Sequence, residues 1–133
     1  MPAPSSKEPP RYTEEEFHQQ AELFARMIDE ELLRLFTSVD QIENLHDGVL
    51  YSMGLDVEDR AVRGKRIRPV LCLMVTDALG GSPTEALTFA CAIELLHNFA
   101  LVHDDIEDGD EQRRGRPATW KKYGLAHGIN IGD

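Results

Sequence analysis

At 133 residues, 41% of them apolar, the chain is long enough for one domain, or part of one, with a real core. Its formal net charge of −10, from 24 acidic against 14 basic side chains, argues against nucleic acid or an anionic membrane as the main partner. The longest unbroken apolar run, residues 70–75, is too short to span a bilayer and no signal-peptide pattern is visible, so the expectation is a cytoplasmic protein without a transmembrane segment.

Residues 1–12 hold four prolines and two serines with no apolar pattern, and read as a disordered arm preceding a helical part over 13–133. Thr13-Glu14-Glu15-Glu16 has the form of a capping box. After it, Phe17, Ala21, Phe24, Ile28, Leu32 and Leu35 recur at helical spacing and predict an amphipathic helix of about six turns. Ser38 to Gln41 restarts a helix that continues through Ile42, Leu45, Val49 and Leu50. Residues 54–64 are polar, lack a period and read as loop.

Pro69 opens a nearly all-apolar helix over 70–79, stopped by Gly80-Gly81. Ser82-Pro83-Thr84-Glu85 then starts a helix without a breaker to about Asp108. It is apolar on most of its circumference and should be central to its bundle. Cys72 and Cys91 sit in these apolar stretches without metal-ligand spacing, as reduced, buried thiols would. Residues 109–117 read as a charged loop, 119–123 as a short helix, and residue 126 onward as the start of another. No strand pattern or repeat is visible, and the fold class is all-α, an antiparallel helix bundle.

Six of the eight residues from Asp104 to Glu111 are acidic, and Arg113-Arg114 follow at once. Packed carboxylates repel unless a cation binds them, and these crowd a helix C-terminus, where the helix dipole opposes them. Asp104 and Asp108 lie one turn apart on one face, with Cβ atoms about 5–6 Å apart. Two carboxylates at that separation suit a hard cation such as Mg²⁺, which keeps waters and recruits phosphate oxygens. His97 lies seven residues before Asp104, on the same face and about 10 Å along the axis; alone, it reads as a core histidine. Arg63-Gly64-Lys65-Arg66-Ile67-Arg68-Pro69 puts four cations at a helix start, with no acidic neighbour in the local sequence. Glycine lets a ligand approach the backbone there, and helix N-termini favour phosphate.

Taken in order, Gly64-Lys65-Arg66-Ile67-Arg68-Pro69, Glu94-Leu95-Leu96-His97, His103-Asp104-Asp105-Ile106-Glu107-Asp108, Arg113-Arg114-Gly115-Arg116-Pro117 and Asn130-Ile131-Gly132-Asp133 resemble the trans-isoprenyl diphosphate synthases, the polyprenyl synthetases. The match runs closely from Arg63 to Asp133; residues 1–59 match only in being helical. The resemblance implies the N-terminal part of the isoprenoid synthase fold. It also implies condensation of isopentenyl diphosphate with an allylic diphosphate by ionisation, condensation and elimination. By resemblance, Asp104 and Asp108 hold Mg²⁺ (Mn²⁺ being the alternative), with Asp105 supporting them. Arg113 contacts the allylic diphosphate and Arg114 isopentenyl diphosphate. Lys65, Arg68 and His97 match the isopentenyl diphosphate site, which displaces the core reading of His97. Phe99, with Leu96 one turn deeper and the small Ala100 beside it, corresponds to the pocket floor for the growing tail and suggests a geranylgeranyl-type product.

The family's second Asp-rich motif, its Lys-Thr pair and its Phe-Gln motif are not in these 133 residues, and the sequence stops at Asp133 without a helix stop signal. The expectations are a fragment or one half of a two-chain assembly, inactive by itself, and either a homo-oligomer or a pairing with a complementary C-terminal half. The alternative is a non-catalytic or regulatory subunit of a heteromeric synthase, against which the intact cationic and Asp residues speak. A class I terpene cyclase needs no second diphosphate site, so Lys65, Arg68 and His97 argue against it. A His-Asp phosphohydrolase, suggested by His46-Asp47 and His103-Asp104, lacks spacing for its remaining ligands.

Overall fold

The computed structural model describes residues 12–37 and 45–133. Among the described residues, seven helices and one minimal hairpin follow in chain order: α1 (Glu14–Thr37), α2 (Leu45–Met53), α3 (Arg60–Arg63), α4 (Ile67–Ala78), α5 (Pro83–Asp108), β1 (Gln112–Arg113), β2 (Arg116–Pro117), α6 (Thr119–Tyr123) and α7 (Leu125–Gly132). The disordered reading of residues 1–11 and the helix restart at 38–41 lie outside the described residues. Tyr12, at the end of that arm, is half-buried against the core, and its hydroxyl donates to Asp77 of α4.

The chemistry of the helix ends accounts for their positions. At α1 the capping box closes: Thr13 Oγ1 accepts from the Glu16 amide at 3.2 Å, and the Glu16 carboxylate accepts from the Thr13 amide at 2.8 Å. Ser82 Oγ accepts from the Glu85 amide, Pro83 occupies the first turn of α5, and Gly109 (φ 69°) ends that helix in the left-handed conformation. The stretch read as loop before α4 contains the single turn α3, capped by Asp59, whose side chain accepts from the Ala61 amide. The helix placed over 70–79 starts three residues earlier, at Ile67. The loop at 109–117 contains the hairpin, with Gln112 opposite Pro117 and Arg113 opposite Arg116. Two-residue strands are too short to leave a periodic signature, and the turn carries positive φ at both Arg114 (51°) and Gly115 (74°), as a type I′ connection demands.

α5 touches α1, α2, α4, α6 and α7, and so is the axis of the packing. The core joins Phe24, Ile28 and Leu32 of α1 to Met53, Leu55, Leu73, Met74, Ala90 and Cys91. Burial pushes the Cys91 thiol up to about 11, whereas Cys72, read as buried, is only partly so. By length and mean hydropathy α5 could cross a membrane. Its Glu94 and Asn98, however, are buried against polar partners on other helices, as in the central helix of a bundle. The other side of α4 and α5 is bare: Ile67 and Leu71 on α4, Leu79 at its C-cap, and Phe89 and Leu96 on α5 are each more than half exposed.

Candidate active site

The C-terminal end of α5 carries the acidic cluster, and its three aspartates part company. Asp104 and Asp108 are exposed and make no hydrogen bond or ion pair among the described residues. Asp105, one residue and about 100° round the helix from Asp104, is 2% exposed. Its carboxylate accepts from Arg113 Nε at 2.9 and 2.7 Å and from Arg113 Nη2 at 2.5 Å. This bidentate pair holds Arg113 above the ordinary guanidinium value. Asp105 is therefore the anchor of the arginine, on a different face from the two free carboxylates.

The I′ turn sends the second arginine the other way. Arg114 Nη1 donates to the carbonyls of Arg63 (2.8 Å) and Val62 (3.1 Å). Its guanidinium lies over Gly64, where a Cβ would come within 2.8 Å of Cζ. Gly64 thus makes room for an arginine of the protein. Burial and the nearby Arg66 cation push Arg114 below its ordinary value, so an anion would be welcome there.

A basic pocket opens beside it, lined by Lys65, Arg66, Arg68, Glu94, His97 and Arg114. Lys65 and Arg68 are exposed and His97 is half-buried. Arg68 Nη1 lies 3.0 Å from His97 Nε2. Guanidinium can only donate, so Nε2 is the unprotonated acceptor and Nδ1 carries the hydrogen. Burial, then the Arg68 cation, lowers the imidazole value, which keeps this tautomer neutral. The expectation that the local cations lack acidic partners needs correction. Arg63 Nη1 reaches Asp29 at 3.3 Å, and Arg66 pairs with both Asp29 and Glu94 at 2.8 Å. These partners come from α1 and α5, beyond the reach of local sequence. The one available signal was Asp29 itself, an acid among the apolar positions Ala25, Ile28 and Leu32.

Phe99 and Leu96 line a cavity of about 440 Å³ with Phe36, Val49, Leu95, Asn98 and Ile131. Phe99 packs edge-on against His103, ring centroids 4.6 Å apart. The half-buried Ala100 is not among the lining residues.

The donor set tests whether a metal fits. Asp104 and Asp108 are exposed hard oxygen donors, in no ion pair or hydrogen bond among the described residues. The described residues contain no cluster of three or more acidic, His or Cys ligands. Two exposed carboxylates one turn apart suit a cation that stays partly hydrated and takes further oxygens from phosphate, as Mg²⁺ does.

The architecture is part of the all-α isoprenyl synthase fold. Superposition on a geranylgeranyl pyrophosphate synthetase from the archaeon Geoglobus acetivorans gives a TM-score of 0.75 at 34% identity, covering 85% of this chain and 34% of that one. A geranyltransferase from Legionella pneumophila gives 0.78 at 27% identity, covering 88% and 40%. The polyprenyl synthetase family model matches residues 57–133, and the chain belongs to that family. In sequence it is 38% identical over 91 residues to geranylgeranyl pyrophosphate synthase 7 of Arabidopsis thaliana, covering 67% of this chain and 24% of the relative. It is 36% identical over 112 residues to the farnesyl diphosphate synthase of Micrococcus luteus, covering 83% and 35%. The chain thus spans well under half the length of these relatives.

Proposed function

We propose that this chain carries the diphosphate-gathering part of a prenyltransferase that joins isopentenyl diphosphate to an allylic diphosphate. The observation that carries the reading is the hairpin, whose adjacent arginines go to two sites: Arg113, held by the buried Asp105 and within electrostatic reach of Asp104, and Arg114 beside Lys65, Arg68 and His97. Two anionic groups held in neighbouring sites bring two substrates together. In the reaction, the allylic C–O bond breaks and diphosphate leaves with the electron pair. The double bond of isopentenyl diphosphate then attacks the carbocation, a C–C bond forms, and a proton is lost. When bound, Mg²⁺ supplies neutralisation of the departing diphosphate, and Asp104 and Asp108 are the residues that would hold it. Arg113 adds donors on that side. Lys65, Arg68, His97 and Arg114 hold the second diphosphate, and Leu96 and Phe99, exposed here, would help keep water from the cation once complementary helices cover them.

Phe99 beside the tail cavity supports a geranylgeranyl-type product. One Asp-rich motif stands in these 133 residues, so the chain alone is proposed to be inactive. The exposed apolar residues of α4 and α5 support association with a complementary helical partner or a second copy. The test is an assay with Mg²⁺, farnesyl diphosphate and labelled isopentenyl diphosphate. The chain is assayed alone and fused to the C-terminal remainder of the Geoglobus acetivorans relative. Product from the fusion and none from the chain alone is expected. A dead but folded fusion would count against prenyl transfer. Turnover by the chain alone at the rate of a complete relative would overturn the inactive reading.

A further inference from the structure

Arg66 stands between two of the pocket's cations yet is 4% exposed. It occupies the N-cap of α4 with φ 50°, a left-handed conformation costly for a residue with a Cβ. Its guanidinium reaches three other elements: Nε donates to Asp29 of α1, Nη1 to Glu94 of α5, both at 2.8 Å, and Nη2 to the Met53 carbonyl at the end of α2, at 2.9 Å. Stability is a weak reason for such a network, since buried ion pairs repay their desolvation poorly.

Charge and register give a better one. Two carboxylates, Asp29 and Glu94, meet two guanidiniums, Arg63 and Arg66. That group is neutral, and Lys65, Arg68 and Arg114 are left with no carboxylate partner among the described residues. Glu94 also stands three residues before His97, on the same side of α5. Arg68 stands two residues after Arg66, and Arg114 packs over Gly64, two residues before it. Fixing Arg66 against Glu94 therefore fixes the places of all four pocket side chains.

We propose that Arg66 is the positioning residue of the basic pocket: it absorbs the Asp29 and Glu94 charges and registers Lys65, Arg68, His97 and Arg114 for a diphosphate that it does not itself hold. This rests on the proposed reading of that pocket as a diphosphate site. The test is calorimetric binding of inorganic pyrophosphate to the 133-residue chain in EDTA, which silences the metal side. Thermal melts confirm folding. Glu94→Gln gives a readout of opposite sign for the two roles. Glu94 lines the pocket, so if the pair mattered only through net charge, removing its negative charge would tighten pyrophosphate binding. Positioning predicts weakening, by about fivefold or more. Arg66→Lys, which keeps the charge but loses the fork, should weaken it about tenfold or more. Lys65→Gln is the control for the pocket itself. If Lys65→Gln weakens binding while Glu94→Gln leaves it unchanged or tighter, the positioning role is overturned and the pocket stands. If Lys65→Gln has no effect, or the unaltered chain binds no pyrophosphate, both readings fall. Should Arg66→Lys fail to fold, the isosteric Glu94→Gln still decides.

Discussion

Asp105 grips Arg113 from inside the protein. Both carboxylate oxygens accept from Nε and one also from Nη2, while the neighbouring Asp104 faces solvent without a partner. The acidic run is therefore two devices on one helix end: a buried anchor for the arginine hairpin and an exposed carboxylate pair.

The two devices should separate by mutation. Asp105→Asn removes the charge from a buried, bidentate partner and leaves Arg113 half satisfied; a loss of about 1–3 kcal/mol is expected from urea denaturation. Asp104→Asn and Asp108→Asn change exposed residues and should stay within about 0.5 kcal/mol. Each of these two should instead weaken Mg²⁺-dependent pyrophosphate binding by about tenfold or more, because a charge-assisted contact is lost. Equal destabilisation by all three substitutions would remove the distinction.

His97 predicts a pH dependence of known sign. Its folded value lies below the ordinary 6.5, because of burial first and the Arg68 cation next. As pH falls below that ordinary value, the unfolded chain takes up a proton that the folded chain resists. This contribution to stability is complete above about pH 6.5 and is lost as pH falls through the window down to the lowered folded value. Protonation also removes the acceptor that Arg68 uses. Urea midpoints between pH 5 and 8 should therefore slope less for His97→Gln than for the unaltered chain; parallel profiles would dismiss the idea. Bound diphosphate, an anion beside the imidazole, should shift the balance back toward the charged ring, so its affinity should rise as pH drops.

Phe99→Ala, made in the fusion that supplies the complementary helices, should lengthen the product by at least one isoprene unit. Phe99 is 40% exposed and lines the cavity, so its removal opens space without gutting the core, and the melting temperature should change little. Chromatography of the dephosphorylated products reads the result. An unchanged chain length would reassign Phe99 to packing against His103.

The long helices were legible because their ends carry explicit chemistry. Ser82-Pro83 and Gly109 bound α5 where sequence placed it, and the spacing from Phe17 to Leu35 marked α1. Short elements were not legible: a four-residue α3 and two-residue strands leave no period to detect. The site divided along the same line. Residues sharing one helix, such as Asp104 and Asp108, could be placed by counting. Which way Asp105 turns depends on a hairpin closed by a non-glycine residue at positive φ, and the inward course of Arg66 depends on acids 37 and 28 positions away.

His97, Phe99, Asp104 and Asp108 all ride on α5, a single helix without a break from Pro83 to Asp108. The separation between the two anion sites, and the depth of the cavity floor below them, is thus a count of residues along one rigid rod. Substitutions can retune the chemistry at each mark on that ruler. One residue inserted between His97 and Asp104 would instead move the marks apart by about 1.5 Å and twist them by about 100°, turning the carboxylate end away from the pocket around His97. The helix can vary in its side chains and at its ends, but not in its length between those marks.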